Sequence, residues 1–210
     1  MQIKGIYMKI PFRYQTTEYD CVPTTFINAL QYLFDRREIP PSVIRKIMQY
    51  SLDTVTVNKK GEYSKDGGTT GLAIQMILQW LSNHSKGSFA FKRCEYVELE
   101  QVHLRQNNKI MSCINDGGIA LVSVWTGRMY HYILALGLDE SDRNKILFFD
   151  PYYRMRSFTG EDSKHIEWLK NKGVQEANLR VSRDRLDSVN YERYSFGPVE
   201  ERDCCLLERI

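Results

Sequence analysis

A chain of 210 residues with 42% hydrophobic content is long enough for one domain with its own core and a small appendage. Its formal net charge of +3 is spread over interspersed basic and acidic residues, with no basic cluster longer than pairs such as Arg36-Arg37 and Lys59-Lys60. That pattern argues against a nucleic-acid partner, and no apolar run approaches the ~18 residues of a membrane span.

The start, Met1-Gln2-Ile3-Lys4-Gly5-Ile6-Tyr7-Met8-Lys9, lacks the continuous apolar core of a signal peptide. A cytoplasmic location is therefore expected, with export by a route that needs no signal peptide left open. The stretch Tyr14-Gln15-Thr16-Thr17-Glu18-Tyr19-Asp20-Cys21 then reads as a polar loop leading into a helix. Val22, Phe26, Ala29, Leu30 and Leu33 recur at three- and four-residue steps, which predicts one apolar helical face. Pro23 fits the first turn, where its missing N–H costs nothing. Cys21 thus falls at a helix N-terminus, where free backbone N–H groups and the helix dipole favour a thiolate. Gln15, six positions upstream, offers a neutral side-chain N–H to an oxyanion forming beside that sulfur. A free cysteine on a helix is more often a small buried hydrophobe, so a nucleophile also requires a histidine base and a group to orient it.

Farther along, Ile39-Pro40-Pro41-Ser42 breaks the chain. A second helix is predicted over roughly Ser42 to Leu52, with Val43, Ile44, Ile47 and Met48 inward. Residues 53 to 68 read as a loop ending in Asp66-Gly67-Gly68. Thr69 or Thr70 caps a third helix, in which Leu72, Ile74, Met76, Ile77, Trp80 and Leu81 are apolar. A strand over Ser88–Arg93 and a polar helix around Leu99 to Ile114 follow, closed by Asn115-Asp116-Gly117-Gly118.

From there the pattern turns to β. Ile119–Trp125, Tyr130–Gly137 and Lys145–Asp150 are short apolar runs with short turns between them, which predicts an antiparallel meander. Helices first and an antiparallel sheet after indicate an α+β fold. The expected division is a helical half over about 1–116 and a sheet half over about 117–172. Residues 173–210 are expected to pack on the same domain as a C-terminal extension. His131 lies near the start of the second of these strands and Asp150 ends the third, so adjacent antiparallel strands can bring them together. His84, His103 and His165 fall at a helix end or on polar helical faces, without a comparably placed partner. Five cysteines with no C-x-x-C pair argue against a disulfide framework or a zinc knuckle.

The order of Gln15, then Cys21 opening a helix, then His131 on a strand, then Asp150 at the next strand end resembles the papain-like cysteine peptidases. Within them it looks most like the bacteriocin-processing, double-glycine-leader branch and its stand-alone relatives. The matching stretches are Gln15 with Tyr19-Asp20-Cys21-x-Pro23, the helix start Gly68-Thr69-Thr70, His131–Gly137, and Phe149-Asp150-Pro151-Tyr152; together they span about residues 10 to 170. Val22 departs from the glycine that usually follows the cysteine, and is expected either to narrow the groove or to mark altered chemistry. The resemblance implies a papain-like fold and a peptide or protein substrate, with no metal or organic cofactor. It implies that Cys21 attacks the carbonyl, His131 moves the proton, Asp150 orients the imidazole, and Gln15 with the Cys21 N–H forms the oxyanion hole. Leader-peptide or small-residue-specific processing is the expected specificity. An acyltransferase or transpeptidase using the same thioester stays open, as does an inactive peptide-binding module of the same fold. Tyr14, Tyr19 and Tyr130 are candidates to line the groove, and oligomeric state is not readable.

Overall fold

Helix α1 (Cys21–Leu33) is buried along almost its whole length, not on one face alone. Val22, Phe26, Ala29, Leu30 and Leu33 form the inner face, and Thr24, Thr25 and Asn28 are buried with them. A helix covered all round by its own protein is a central element, and each large side chain it buries contributes about 1.5–3 kcal/mol. The structure, a computed structural model, describes residues 9–52, 56–57, 63–64, 68–84, 87–170 and 173–210. Most of the start read for a signal peptide and most of the expected 53–68 loop lie outside these residues.

Two further helices flank α1. In α2 (Pro41–Leu52) Val43 and Ile47 are fully buried and Ile44 packs against the core, whereas Met48 points outward, more than a third exposed. The backbones of β1 (Thr56–Val57) and β2 (Tyr63–Ser64) pair antiparallel. Helix α3 (Gly71–Asn83) is capped by Thr70, whose hydroxyl accepts the Ala73 N–H. Its inner face is Ala73, Ile74, Ile77, Leu78 and Leu81, while the apolar Leu72 and Met76 are exposed.

The remaining strands form one antiparallel sheet in the order β3-β9-β4-β5-β6-β8-β7. Strand β3 (Phe91–Glu98) begins later than the expected Ser88–Arg93 and edges the sheet. β4 (Ile119–Trp125), β5 (Tyr130–Leu138) and β6 (Lys145–Phe149) form the predicted meander. β7 (Ile166–Trp168) and β8 (Leu179–Ser182) extend it, and β9 (Asp203–Arg209) lies between β3 and β4. The α+β class holds, but strands come from the expected helical half and from the segment after residue 172 as well as from the expected sheet half. One face of the sheet packs on α1–α3 through Leu121, Tyr132, Leu134, Phe149, Cys205 and Leu207. The other packs on a second layer through Val122, Ile133, Phe148, Cys204 and Leu206.

That second layer corrects the helix expected around Leu99 to Ile114. A 3-10 turn at Leu99–Gln101 and α4 (Lys109–Asn115) flank an extended stretch in which Val102 and Leu104 are buried. The backbone around Val102 and Leu104 is bonded to later parts of the chain in place of an α-helical ladder. The Leu104 N–H donates to the Asp187 carboxylate at 2.8 Å, and the Val102 carbonyl accepts from Arg202 at 3.0 Å. Asn108 then caps α4 by accepting the Met111 N–H at 2.8 Å. Two short helices, α5 (Asp162–His165) and α6 (Arg183–Asp187), complete the layer.

Candidate active site

Cys21 is the first residue of α1, so its N–H has no acceptor within the helix and the helix dipole points its positive end toward the sulfur. The loop ahead of it is tied down by Asp20, whose carboxylate accepts the N–H groups of Thr16 and Thr17 at 2.9 and 2.7 Å. Asn28 exchanges two hydrogen bonds with the Arg13 backbone, fixing the loop to the side of α1. The loop also reaches the end of β6, because the Gln15 N–H donates to the Pro151 carbonyl at 2.8 Å and Tyr14 packs on Phe149.

The sheet brings the other two groups to the same place. The register pairs Leu134 with Phe149, so Asp150 falls opposite Ile133 and diagonal to His131. The His131 Nε2 and the Asp150 Oδ1 are 2.7 Å apart, with both side chains buried. That pairing leaves the other ring nitrogen for Cys21, with which His131 shares a side-chain hydrogen bond. Helix and strand are latched beside this contact, since the buried Thr25 hydroxyl donates to the Tyr132 carbonyl at 3.0 Å.

The electrostatics follow from these contacts. Burial pushes the Cys21 thiol up, but the hydrogen bond and charge of His131, with the Tyr132 and Val22 N–H groups, more than offset it. The thiol is held below its usual value. For His131, burial disfavours the cation, and the Asp150 carboxylate and the Cys21 sulfur outweigh that effect, so the imidazole is held well above its usual value. The two shifts together favour a thiolate–imidazolium pair. The other cysteines go the opposite way: burial raises Cys94 to about 12 and Cys113 to about 11, and pushes Cys204 and Cys205 up as well.

Asp150 is held by residues that sequence reasoning did not single out. Its Oδ1 also accepts the Tyr152 N–H at 2.8 Å, and its Oδ2 accepts the hydroxyl of the fully buried Tyr194. Asn178 bonds the Asp150 backbone on both sides, accepting its N–H at 2.7 Å and donating to its carbonyl at 2.8 Å. Tyr194 has a left-handed backbone, φ 61°, which a bulky residue adopts only where its surroundings fix it. Here its N–H donates to the Trp125 carbonyl at 2.6 Å, and the Trp125 N–H returns a bond to Ser195 at 2.8 Å. No local pattern marks either residue, because each acts through a contact distant in sequence.

Gln15 is in the cleft but only partly as expected. Its Nε2 donates to the Thr17 carbonyl at 2.7 Å, which leaves one amide hydrogen uncommitted, and its Oε1 is buried without a hydrogen-bond partner among the described residues. The cleft has a volume of about 340 Å3 and is lined by Gln15, Glu18, Cys21, His131, Asp150 and Tyr194, by Tyr152 and Arg154, by the Thr126–Tyr130 turn, and by Arg193. Gly127 in that turn has φ 100°, a conformation that glycine adopts without strain. Of the tyrosines considered, Tyr130 lines the cleft, Tyr14 packs on Phe149 and Tyr153, and Tyr19 is exposed away from it. Val22, expected to narrow the groove, instead buries its side chain in the core under α1–α3. No group of three or more His, Cys, Asp or Glu able to hold a metal occurs among the described residues. No protein-family model matches the chain, and no curated protein matches it.

Proposed function

We propose that the protein is a papain-like cysteine peptidase in which Cys21, His131 and Asp150 form the triad. The observation that carries this reading is a helix-N-terminal thiol held below its usual value by a histidine that is itself 2.7 Å from a buried carboxylate. A central helix bearing the nucleophile, packed on an antiparallel sheet bearing base and orienting acid, is the arrangement this fold would require.

In the acylation step the Cys21 thiolate attacks the scissile carbonyl, and the C–O π pair moves to oxygen. The Cys21 N–H and the uncommitted Gln15 amide hydrogen are the donors nearest to hand for that oxyanion, each worth about 3 kcal/mol in such a role. The His131 imidazolium then protonates the leaving amine as the C–N bond breaks, leaving a thioester. Now neutral, the imidazole takes a proton from water, hydroxide adds to the thioester, and the thiolate departs. Asp150 keeps the ring oriented and its cation stabilised throughout, as Tyr194 and Asn178 keep Asp150.

Alkylation by iodoacetamide between pH 4 and 9, read per cysteine by mass spectrometry, tests the reading. Cys21 should react well below the ~8.5 of an ordinary thiol, while the other four stay protected. In His131→Ala the hydrogen bond and charge of the imidazole are gone and only the Tyr132 and Val22 N–H groups still oppose burial, so most of the advantage should vanish. Cleavage of a peptide library should be lost in Cys21→Ala. A Cys21 that is inert, or equally reactive without His131, would refute the assignment.

A further inference from the structure

Three arginines line the cleft around Cys21, namely Arg128, Arg154 and Arg193, and few acidic groups are free to balance them. Asp150 is already engaged by His131, Tyr152 and Tyr194. Glu18 is exposed on the rim, and Asp162 stands 3.3 Å from Arg193 but also 3.3 Å from Arg185. Neither Arg128 nor Arg154 makes an ion pair among the described residues. Arg154 sets its guanidinium over the Phe158 ring, 4.6 Å from the centroid, and shares a hydrogen bond with the Tyr194 hydroxyl, while its Nε alone is buried with no hydrogen-bond partner among the described residues. A guanidinium seated over an aromatic ring has lost part of its freedom already, so an acceptor entering the cleft orders it at little further cost. Arg128 sits exposed in the turn leading into His131, at the mouth of the same cleft.

Resting on the peptidase reading above, we propose that this cleft selects acyl donors that carry a carboxylate close to the scissile bond, with Arg154 as its anchor and Arg128 as a rim contact. A carboxylate matches the planar fork of arginine in two parallel hydrogen bonds, and the low-dielectric cleft strengthens them. The carboxylate comes either from an acidic side chain or from a free C-terminus, since both present the same group.

The test compares alkylation of Cys21 by iodoacetate and by iodoacetamide, each normalised to the same reaction of glutathione. A protonated His131 favours iodoacetate in any such site, so the decisive quantity is the change in this ratio on replacing the arginines. It should fall about twofold to fivefold in Arg128→Gln, an exposed charge, and about tenfold or more in Arg154→Gln. Peptides matched except for Glu or Gln beside the scissile bond, each as free acid and as C-terminal amide, then identify the source. A kcat/KM preference for Glu assigns it to the side chain, and one for the free acid assigns it to the C-terminus. Ready alkylation of Cys21 with a ratio indifferent to both arginines would overturn the proposal and leave the peptidase reading standing. Silence of Cys21 toward both reagents would sink the peptidase reading and this one with it.

Discussion

Replacing Tyr194 with Phe removes one hydroxyl and keeps the ring, including its edge contact with Phe158 at 5.6 Å. The Asp150 Oδ1 retains His131 and the Tyr152 N–H, but Oδ2 has no other donor among the described residues and is fully buried. An acceptor left unpaired on a buried charge costs about 1.5–3 kcal/mol, and that is the stability Tyr194→Phe should lose in urea denaturation. The same carboxylate, with its charge less dispersed, holds the His131 cation more tightly. The His131 pKa, already above its usual value, should therefore rise by up to about one unit, moving the alkaline limb of activity to higher pH. Asp150→Asn supplies the control through a double-mutant cycle. If Tyr194 acts through Asp150, the two changes should be non-additive by about 1 kcal/mol or more. Additive effects together with an unmoved alkaline limb would refute the positioning role and leave Tyr194 as packing only.

Two further outcomes follow from neighbouring contacts. Thr25→Val deletes the donor to the buried Tyr132 carbonyl and should lower stability by about 1–3 kcal/mol while raising the pH at which Cys21 alkylates; an unchanged denaturation midpoint would contradict the latch. Asp139 is held down to about 2 by hydrogen bonds from Ser141 and Arg180 and by the Arg180 charge. Its folded pKa is below its usual 3.8, so the stability it contributes is complete above that value and lost as pH falls from about 4 toward 2. Asp139→Asn should flatten the acid limb of a stability–pH curve in that window, and a curve parallel to wild type would exclude the contribution.

The helices and the meander could be read because their signals are local. The spacing in α1, the Thr70 cap and the runs of β4 to β6 are each visible within a dozen residues. The Cys21, His131 and Asp150 positions were readable for the same reason, each standing at the end of such an element. What could not be read is held by contacts far apart in sequence. The run Cys204-Cys205-Leu206-Leu207 is buried on both faces, so it shows no alternation to mark β9 as a strand. Tyr194 stands among polar residues, and its left-handed backbone leaves no trace in the sequence. The stretch after Leu99 has helical composition, but Asp187, Arg183 and Arg202 bond its backbone in an extended form, and tertiary partners override propensity.

The place of β9 also sets the order of assembly. Cys94 pairs with Leu207 and Leu121 with Cys205, so the middle of the sheet closes only when segments more than eighty residues apart meet. Such closure has a large loop entropy and slows folding toward the milliseconds-to-seconds range of non-local sheets. Until β9 arrives, β3 and β4 both present open edges, which makes the unfinished chain prone to intermolecular pairing. Cys21, His131 and Asp150 all precede Tyr194 and β9 along the chain. During synthesis the Cys21 thiol therefore exists for some time before Tyr194, whose hydroxyl bonds Asp150, and refolding should restore Cys21 reactivity no faster than it restores the closed sheet.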